Sequence, residues 1–421
     1  MSAGATSWVL VSAALVLFMT PGLALFYGGM DRSRNVLNML MMNFWCLLVV
    51  PLVWVIAGFS LAYSGSGTFI GNLDWTLLNG LGIDAASAGG DGGRLLLAAI
   101  FLGMFAVITP ALISGAVADR MKFSAWAIFV PAWIVLVYCP VSYWIYGGSW
   151  GDGVTGWLGV RGSLDFAGGT VIHVNAGIAA LAAVLVLGKR KGWPREGHPP
   201  HSMPLVMLGT GILWFGWFGF NAGSAFDANG TAIQAFMNTF IAAAAAGLAW
   251  AIVERVRDGH FTNLGVASGI VAGLVAITPG AGYVSGMSPI WIGLIAGVVC
   301  SFAVSLKFKG RFDDSLDVVG VHFTGGLIGS LLIGLFADPA FFGKDFAAGL
   351  FNGGGFGLLV EQLIANAVTI VFSFSMTMLI LLAIKATIGV RVSEEEEESG
   401  LDLTQHAESA YNIGEVTMGR G

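Results

Sequence analysis

Apolar residues fall into long uninterrupted runs along the 421-residue chain, and polar or glycine-rich stretches separate one run from the next. A helix of about 20 apolar residues is long enough to cross the hydrocarbon core of a bilayer. The pattern therefore predicts an all-α polytopic membrane protein with eleven transmembrane helices. The predicted spans are about 7–28, 38–63, 94–117, 123–145, 167–188, 204–225, 231–253, 264–283, 288–306, 316–336 and 356–386.

The composition is typical of a surface that faces lipid. Charged residues make up 10% of the chain, whereas a soluble domain carries about 25%. Much of the net charge of -6 comes from one acidic run, Glu394 to Glu398, and no basic patch would bind nucleic acid. Cys46, Cys139 and Cys300 lie in apolar segments at unrelated spacing, which indicates neither a disulfide framework nor a metal site. We therefore expect no metal and no cofactor.

The basic residues predict the orientation of the chain. If the N-terminus lies outside the cell, all 19 Lys and Arg residues except Arg94, Arg161 and Lys344 fall on the inner side. Loops that stay in the cytoplasm carry an excess of Lys and Arg. The pattern therefore predicts an outer N-terminus, an inner C-terminus and a location in the cell membrane.

The two halves of the chain share short motifs. Ile-Thr-Pro occurs at 108–110 and 277–279, and a histidine lies near a Gly-Gly pair at 168–173 and at 322–326. Five helices per half is an odd number, so equivalent helices would run in opposite directions, as in inverted-repeat transporters. Chance matches in a chain with 62 glycines are the alternative. The predicted organisation is a membrane domain at 1–386, with pseudo-repeats at about 7–188 and 204–336 and a final helix at about 356–386, and then a cytoplasmic tail at 387–421.

Two of the six histidines, His173 and His322, lie inside apolar spans. An ionisable group at membrane depth is costly and usually faces a cavity or a partner. A structural histidine bonded to a neighbouring helix is the alternative for either one, but two in corresponding helices favour a shared site. Such a pair could relay a proton or pass on a small polar solute. The other four histidines fall in predicted loops or the tail, where we expect solvent: His198, His201, His260 and His406.

Two acidic residues stand at the beginning of predicted spans. Asp165 precedes span five, where it can cap the helix or raise the cation concentration at a pore mouth, and these roles are compatible. Asp317 lies at the inner start of span ten, and there we give the cap more weight.

A few polar and aromatic residues stand out by their predicted depth. Phe105, Phe220 and Tyr146 could line a passage, although each alone is more typical of packing. Asn221 and Ser224 are polar in an apolar helix, and they could bind solute or join helices by hydrogen bonds.

Taken together, several segments resemble the ammonium transporter (Amt) family, which is related to the Rhesus proteins. They follow the family's order from the first span to the tail: Thr20 to Gly29, Phe105 to Leu112, Leu164 to Asn175, Gly216 to Ser224, Asp317 to His322, Gly400 to Leu403, and Tyr411-Asn412. The resemblance covers nearly the whole chain. It implies a homotrimer with one pore in each eleven-helix subunit.

The resemblance also implies roles for pore residues. His173 and His322 are similar to the family's paired pore histidines, and Phe105 and Phe220 to its stacked phenylalanine gate. Trp217 resembles a pore-lining tryptophan.

An outer cation site is implied in the same way. Phe105 and Ser224 resemble parts of that site, and Asp165 resembles the acidic residue that supports it. The family's usual tryptophan is replaced here by Tyr146, whose ring attracts a cation less strongly.

The implied function is transport of ammonium or methylammonium, which would lose a proton at the gate and cross as ammonia, whereas potassium has no neutral form. We expect an electrogenic transporter and not an enzyme, embedded in the lipid bilayer, with a P-II class signal protein as a possible partner of the tail. The alternatives are an ammonium sensor (transceptor), a Rhesus-like gas channel, or a haem protein with His173 and His322 as axial ligands.

Overall fold

The computed structural model describes residues 2–82, 92–148 and 156–411. Within these ranges eleven helices are long and apolar enough to span a membrane, which confirms the predicted fold class and every predicted span. We number them α1 to α11 in chain order: Ala3–Met30, Val36–Tyr63, Gly93–Val117, Phe123–Tyr146, Gly169–Leu187, Met203–Gly223, Gly230–Arg257, Asn263–Gly280, Ser288–Gly310, Val319–Phe336 and Gly357–Thr387.

Four of these helices contain a π-helical turn. Those at Trp54–Gly58 and Ile134–Tyr138 each begin three residues after a proline, which cannot donate the backbone hydrogen bond of a regular helix. Those at Gly169–Val174 and Val319–Phe323 begin α5 and α10 and contain the two apolar-span histidines. Turns of this kind often occur at functional sites.

The beginnings of α5 and α10 are built alike. The Asp165 carboxylate accepts four backbone N–H groups, those of residues 168 to 171, at 2.6 to 3.1 Å. The Asp314 carboxylate accepts the N–H groups of Val318 and Val319 at 3.1 and 2.7 Å. The expectation that Asp317 caps α10 is therefore wrong. Its backbone has a positive φ of 62°, and its carboxylate bonds to Lys307 Nζ at 2.6 Å.

Two glycines let α5 and α10 approach each other closely. A Cβ atom at Gly177 would lie 2.4 Å from the backbone nitrogen of Phe323, and one at Gly326 would lie 2.8 Å from His173 Cβ. A larger residue at either position would force the two helices apart. Each glycine therefore lies opposite one of the histidine turns and sets the distance between them.

The tail folds back onto one face of the helix bundle, which we call the basic face: the connections after α1, α3, α5, α7 and α9. It forms two short helices, α12 (Glu394–Ser399) and α13 (Leu401–His406). Asp402 Oδ1 accepts the Asn38 N–H at 2.8 Å, and Glu397 bonds to Arg391 at 2.7 Å. The acidic run is therefore not wholly solvated, because Glu397 is buried. Residues 412–421, including Asn412 of the tail motif, lie outside the described part of the chain.

Candidate functional site

A cavity of about 220 Å³ opens at the face opposite the basic face. It brings together four residues singled out from the sequence: Phe105, Tyr146, Asp165 and Ser224. Sequence reasoning missed three further tyrosines in its wall, Tyr63, Tyr138 and Tyr283. Four of the chain's seven tyrosines line this one cavity, but no spacing in the sequence brings them together. We call it the tyrosine cavity.

The polar groups of the tyrosine cavity differ in whether they can still accept a hydrogen bond from a solute. The Ser224 hydroxyl donates to the Phe220 carbonyl oxygen at 2.8 Å, so its oxygen lone pairs stay available as acceptors. Both Asp165 oxygens already accept backbone N–H groups, and the residue is buried. The negative charge of Asp165 therefore stabilises the first turn of α5, and it affects a solute in the cavity only at short range.

Two phenylalanines lie where α3 and α6 meet beside the cavity. The rings of Phe105 and Phe220 stack with centroids 4.2 Å apart and an angle of 27° between planes. Both side chains are buried, and the edge of Phe101 packs on Phe105 at 4.8 Å. The three rings therefore form a compact aromatic cluster beside the cavity.

His173 and His322 lie directly beyond the phenylalanine pair and contact each other. Their Nδ1 atoms are 3.4 Å apart, and the ring planes differ by 17°. The Trp217 ring stacks on His173 at 5.4 Å, and its Nε1 donates to Thr278 Oγ1 at 2.8 Å. The remaining space is about 10 Å³, enough for about one water molecule. The space beside the two histidines is thus very small and mostly lined by apolar side chains.

The contacts beside the histidines favour one arrangement of the ring protons. The Tyr27 hydroxyl donates to the Leu112 carbonyl oxygen at 3.1 Å and lies 3.5 Å from His322 Nε2. Since that hydroxyl has one proton, His322 Nε2 is the donor in their contact, and its Nδ1 is an acceptor for His173 Nδ1–H. His173 Nε2 is then left as a bare acceptor, and no donor among the described residues reaches it.

Three other polar residues named from the sequence form hydrogen bonds within the protein. Asn221 Nδ2 donates to Thr239 Oγ1 at 2.9 Å, so it joins two helices. On the basic face, His198 bonds to Arg32, and His406 bonds to Asn38, so neither is simply solvated.

A metal or haem does not fit this site. Among the described residues no group of three His, Cys, Asp or Glu side chains is arranged to bind a metal. A haem between axial ligands would have to separate the two imidazoles, but His173 and His322 are in direct contact. The bis-histidine haem hypothesis is therefore wrong.

The chain is similar to known proteins over nearly its full length. The model of the Ammonium Transporter Family matches residues 7–411. The chain is 49% identical to an ammonium transporter of Mycobacterium tuberculosis, over 97% of this chain and 90% of the relative. It is 42% identical to ammonium transporter Amt1 of Archaeoglobus fulgidus, over 98% of this chain and 100% of the relative.

Solved structures share the fold. Mep2 of Saccharomyces cerevisiae superposes with a TM-score of 0.83 at 35% identity, covering 94% of this chain and 91% of that one. A protein described as a Sensor Amt Protein superposes with a TM-score of 0.88 at 30% identity, covering 96% of this chain and 98% of that one.

Proposed function

This chain belongs to the ammonium transporter family and transports ammonium, and from that premise we propose that it does so by removing a proton from the cation inside a dry passage. One observation carries the proposal: the stacked Phe105 and Phe220 are followed directly by His173 and His322 in contact. A water-filled path would need no such arrangement.

We propose that the tyrosine cavity collects the cation. The ring faces of Phe105 and Tyr146 attract a positive charge, and Ser224 Oγ accepts an N–H of ammonium. Asp165 adds a negative charge at the same cavity. Potassium would also be attracted there, so selectivity must arise later along the path.

The proton is removed at the phenylalanine pair. Loss of water disfavours the charged form of an amine, and His173 Nε2 is an acceptor without a donor. It takes the proton from ammonium, and the His173 Nδ1 proton passes to His322 Nδ1. The His322 Nε2 proton passes to the Tyr27 hydroxyl oxygen, which releases its own proton to water at the basic face. Ammonia crosses as a neutral molecule while the proton follows the histidines, which makes transport electrogenic. Potassium has no proton to lose and would cross only at the full cost of desolvation.

The basic face is proposed to be cytoplasmic, with the N-terminus outside and the protein in the cell membrane. Its support is the distribution of Lys and Arg, since most of the basic residues, including Arg120 and Arg190, cluster there. We further propose a membrane domain at 1–386 with two inverted pseudo-repeats, and a tail at 387–421 that regulates it. The similar beginnings of α5 and α10 support the repeat. Assembly as a homotrimer and contact of the tail with a P-II class protein rest on the family resemblance.

The test uses purified protein in liposomes on a supported membrane. Ammonium pulses should evoke current, and potassium pulses should not. His173→Ala should remove the ammonium current. Phe220→Ala should admit potassium, because the stacked pair no longer excludes hydrated ions. A full ammonium current in His173→Ala, with potassium still excluded, would remove the histidines from the scheme.

A sensor is the second candidate, favoured by the similarity to a Sensor Amt Protein and by the docked tail. A sensor would bind ammonium without sustained current, and it would not rescue growth of a cell that lacks ammonium uptake. A carbon dioxide flux assay on the same liposomes separates the Rhesus-like alternative.

A further inference from the structure

A second cavity, of about 200 Å³, lies at the basic face, and Met30, Asp31 and Leu316 contribute to its wall. We call it the lower cavity. Tyr27, which contacts His322, lies one helical turn before it, because the Asp31 N–H donates to the Tyr27 carbonyl oxygen at 2.9 Å. A four-residue step along a helix is about 6 Å. The lower cavity therefore begins about one helical turn beyond the residue that contacts His322, on the side of the basic face.

The Asp31 carboxyl in this cavity is unusual because it is only 3% exposed and is incompletely satisfied. Its Oδ1 accepts the Arg32 N–H at 2.7 Å, but no donor among the described residues reaches Oδ2. A buried carboxylate oxygen without a donor is costly. The group is stable there if it holds a proton or binds a cation.

Two cations near Asp31 already have other partners. Arg190 pairs with Asp119 at 2.8 Å, and Lys307 pairs with Asp317 at 2.6 Å. Each carboxylate partner takes up the charge that would otherwise neutralise Asp31. Among the described residues Asp31 has no salt bridge of its own, and the carboxylate of Asp119 is close enough to accept a hydrogen bond from Asp31 when Asp31 is protonated.

The charged groups around Asp31 act in opposite directions: Arg190 and the Arg32 N–H lower its pKa, whereas the Asp119 carboxylate raises it. Arg32 bonds to His198 at 2.7 Å and lies 3.7 Å from Asp119. Glu196 also lines the cavity, but it is exposed. Burial, and next the negative charge of Asp119, raise the pKa of Asp31 well above its ordinary value.

We propose that Asp31 gives a proton to ammonia at the basic end of the pore and then holds the resulting ammonium as its counterion. The O–H bond of the Asp31 carboxyl breaks, a new N–H bond forms on ammonia, and a carboxylate–ammonium pair remains. Ammonium leaves toward the exposed rim. The next proton comes from the following ammonium, through His173 and His322, so protons and charge balance in each cycle. This inference rests on the proposed function.

The proposal makes Asp31 the exit counterpart of the acceptor nitrogen at His173. One end of the passage removes a proton, and the other end restores it. A proton donor at the exit would also hinder return of ammonia, because the product there is charged and the passage is dry.

The test measures ammonium current in liposomes at several internal pH values, with the full-length protein oriented so that the basic face is inside. Asp31→Asn keeps the shape but cannot donate a carboxylic proton, and it should lower the current by about tenfold or more at neutral internal pH. Lowering the internal pH should restore part of it, because water then supplies the proton. Asp31→Glu should retain most of the current. Glu196→Gln, which removes the same charge from the exposed rim, should match the wild type.

The outcomes distinguish this inference from the proposed function. No current in the wild type would refute transport itself. Equal currents in the wild type and Asp31→Asn, with the same pH profile, would overturn the role of Asp31 and leave transport intact. If Asp31→Asn does not elute as a folded protein, infrared spectroscopy of the wild type decides. A protonated carboxylic acid band should be present without ammonium and decline when ammonium is added, and absence of such a band overturns the proposal.

Discussion

The close approach of α5 and α10 allows a sharp test of how packing supports function. A Cβ atom at Gly326 would lie 2.8 Å from His173 Cβ and 3.0 Å from the Gly169 carbonyl oxygen. Carbon atoms pack at about 3.5–4.0 Å, so Gly326→Ala must move the two helices apart by about 0.7–1.2 Å. Overpacking of this kind costs about 1–3 kcal/mol, which a large helix bundle can tolerate.

Gly326→Ala should lengthen the distance between His173 and His322. Their Nδ1 atoms are already 3.4 Å apart, near the limit for a hydrogen bond. A further separation of about 1 Å breaks the contact, and loss of a positioned proton transfer should reduce the ammonium current by about tenfold or more. The measurement is the peak current evoked by ammonium in liposomes, normalised to the amount of reconstituted protein.

Gly211→Ala is the matched control, because a Cβ at Gly211 of α6 would meet nothing within 4 Å. Alanine there should raise helix stability by up to about 1 kcal/mol and leave the current unchanged. A Gly326→Ala protein that folds and carries wild-type current would refute the link between this glycine, the histidine contact and transport.

Two further predictions concern the tyrosine cavity. Tyr146→Trp should lower the KM for ammonium by about two- to fivefold, since a stronger cation–π contact contributes roughly 0.5–1 kcal/mol. Concentration series of the current measure it, and an unchanged KM would place the cation away from this ring. Asp165→Asn leaves the N–H groups of Thr170 and Val171 facing an amide donor, so unfolding free energy should fall by about 2–6 kcal/mol. Denaturant titration in mixed micelles tests this, and unaltered stability would contradict the capping role.

Much of the architecture could be predicted from the sequence. The eleven spans follow from the length and apolarity of continuous segments, such as Val36–Tyr63, and these are local properties. Membership of the family was also accessible, because ordered motifs such as Leu164 to Asn175 are read along the chain without knowledge of its folding. The candidate pore residues came from the same motifs.

Contacts between residues that are far apart in the sequence could not be predicted from local motifs. Glu361 in α11 had no explanation in the sequence, but it forms two hydrogen bonds with Arg161, at 2.9 and 3.1 Å. Asp314 and Asp317 are both acidic residues before α10, and only the backbone conformation selects Asp314 as the cap.

The arrangement of the candidate pore residues was decided by tertiary structure. Hydropathy identifies His173 and His322 as buried, but their 3.4 Å contact depends on two helices crossing at glycines 149 residues apart, Gly177 and Gly326. The tyrosine cavity and the lower cavity likewise combine side chains from several helices. Hydrophobic length is encoded in each segment by itself, whereas the position of an acid, a ring or a proton acceptor is set by which segments pack together.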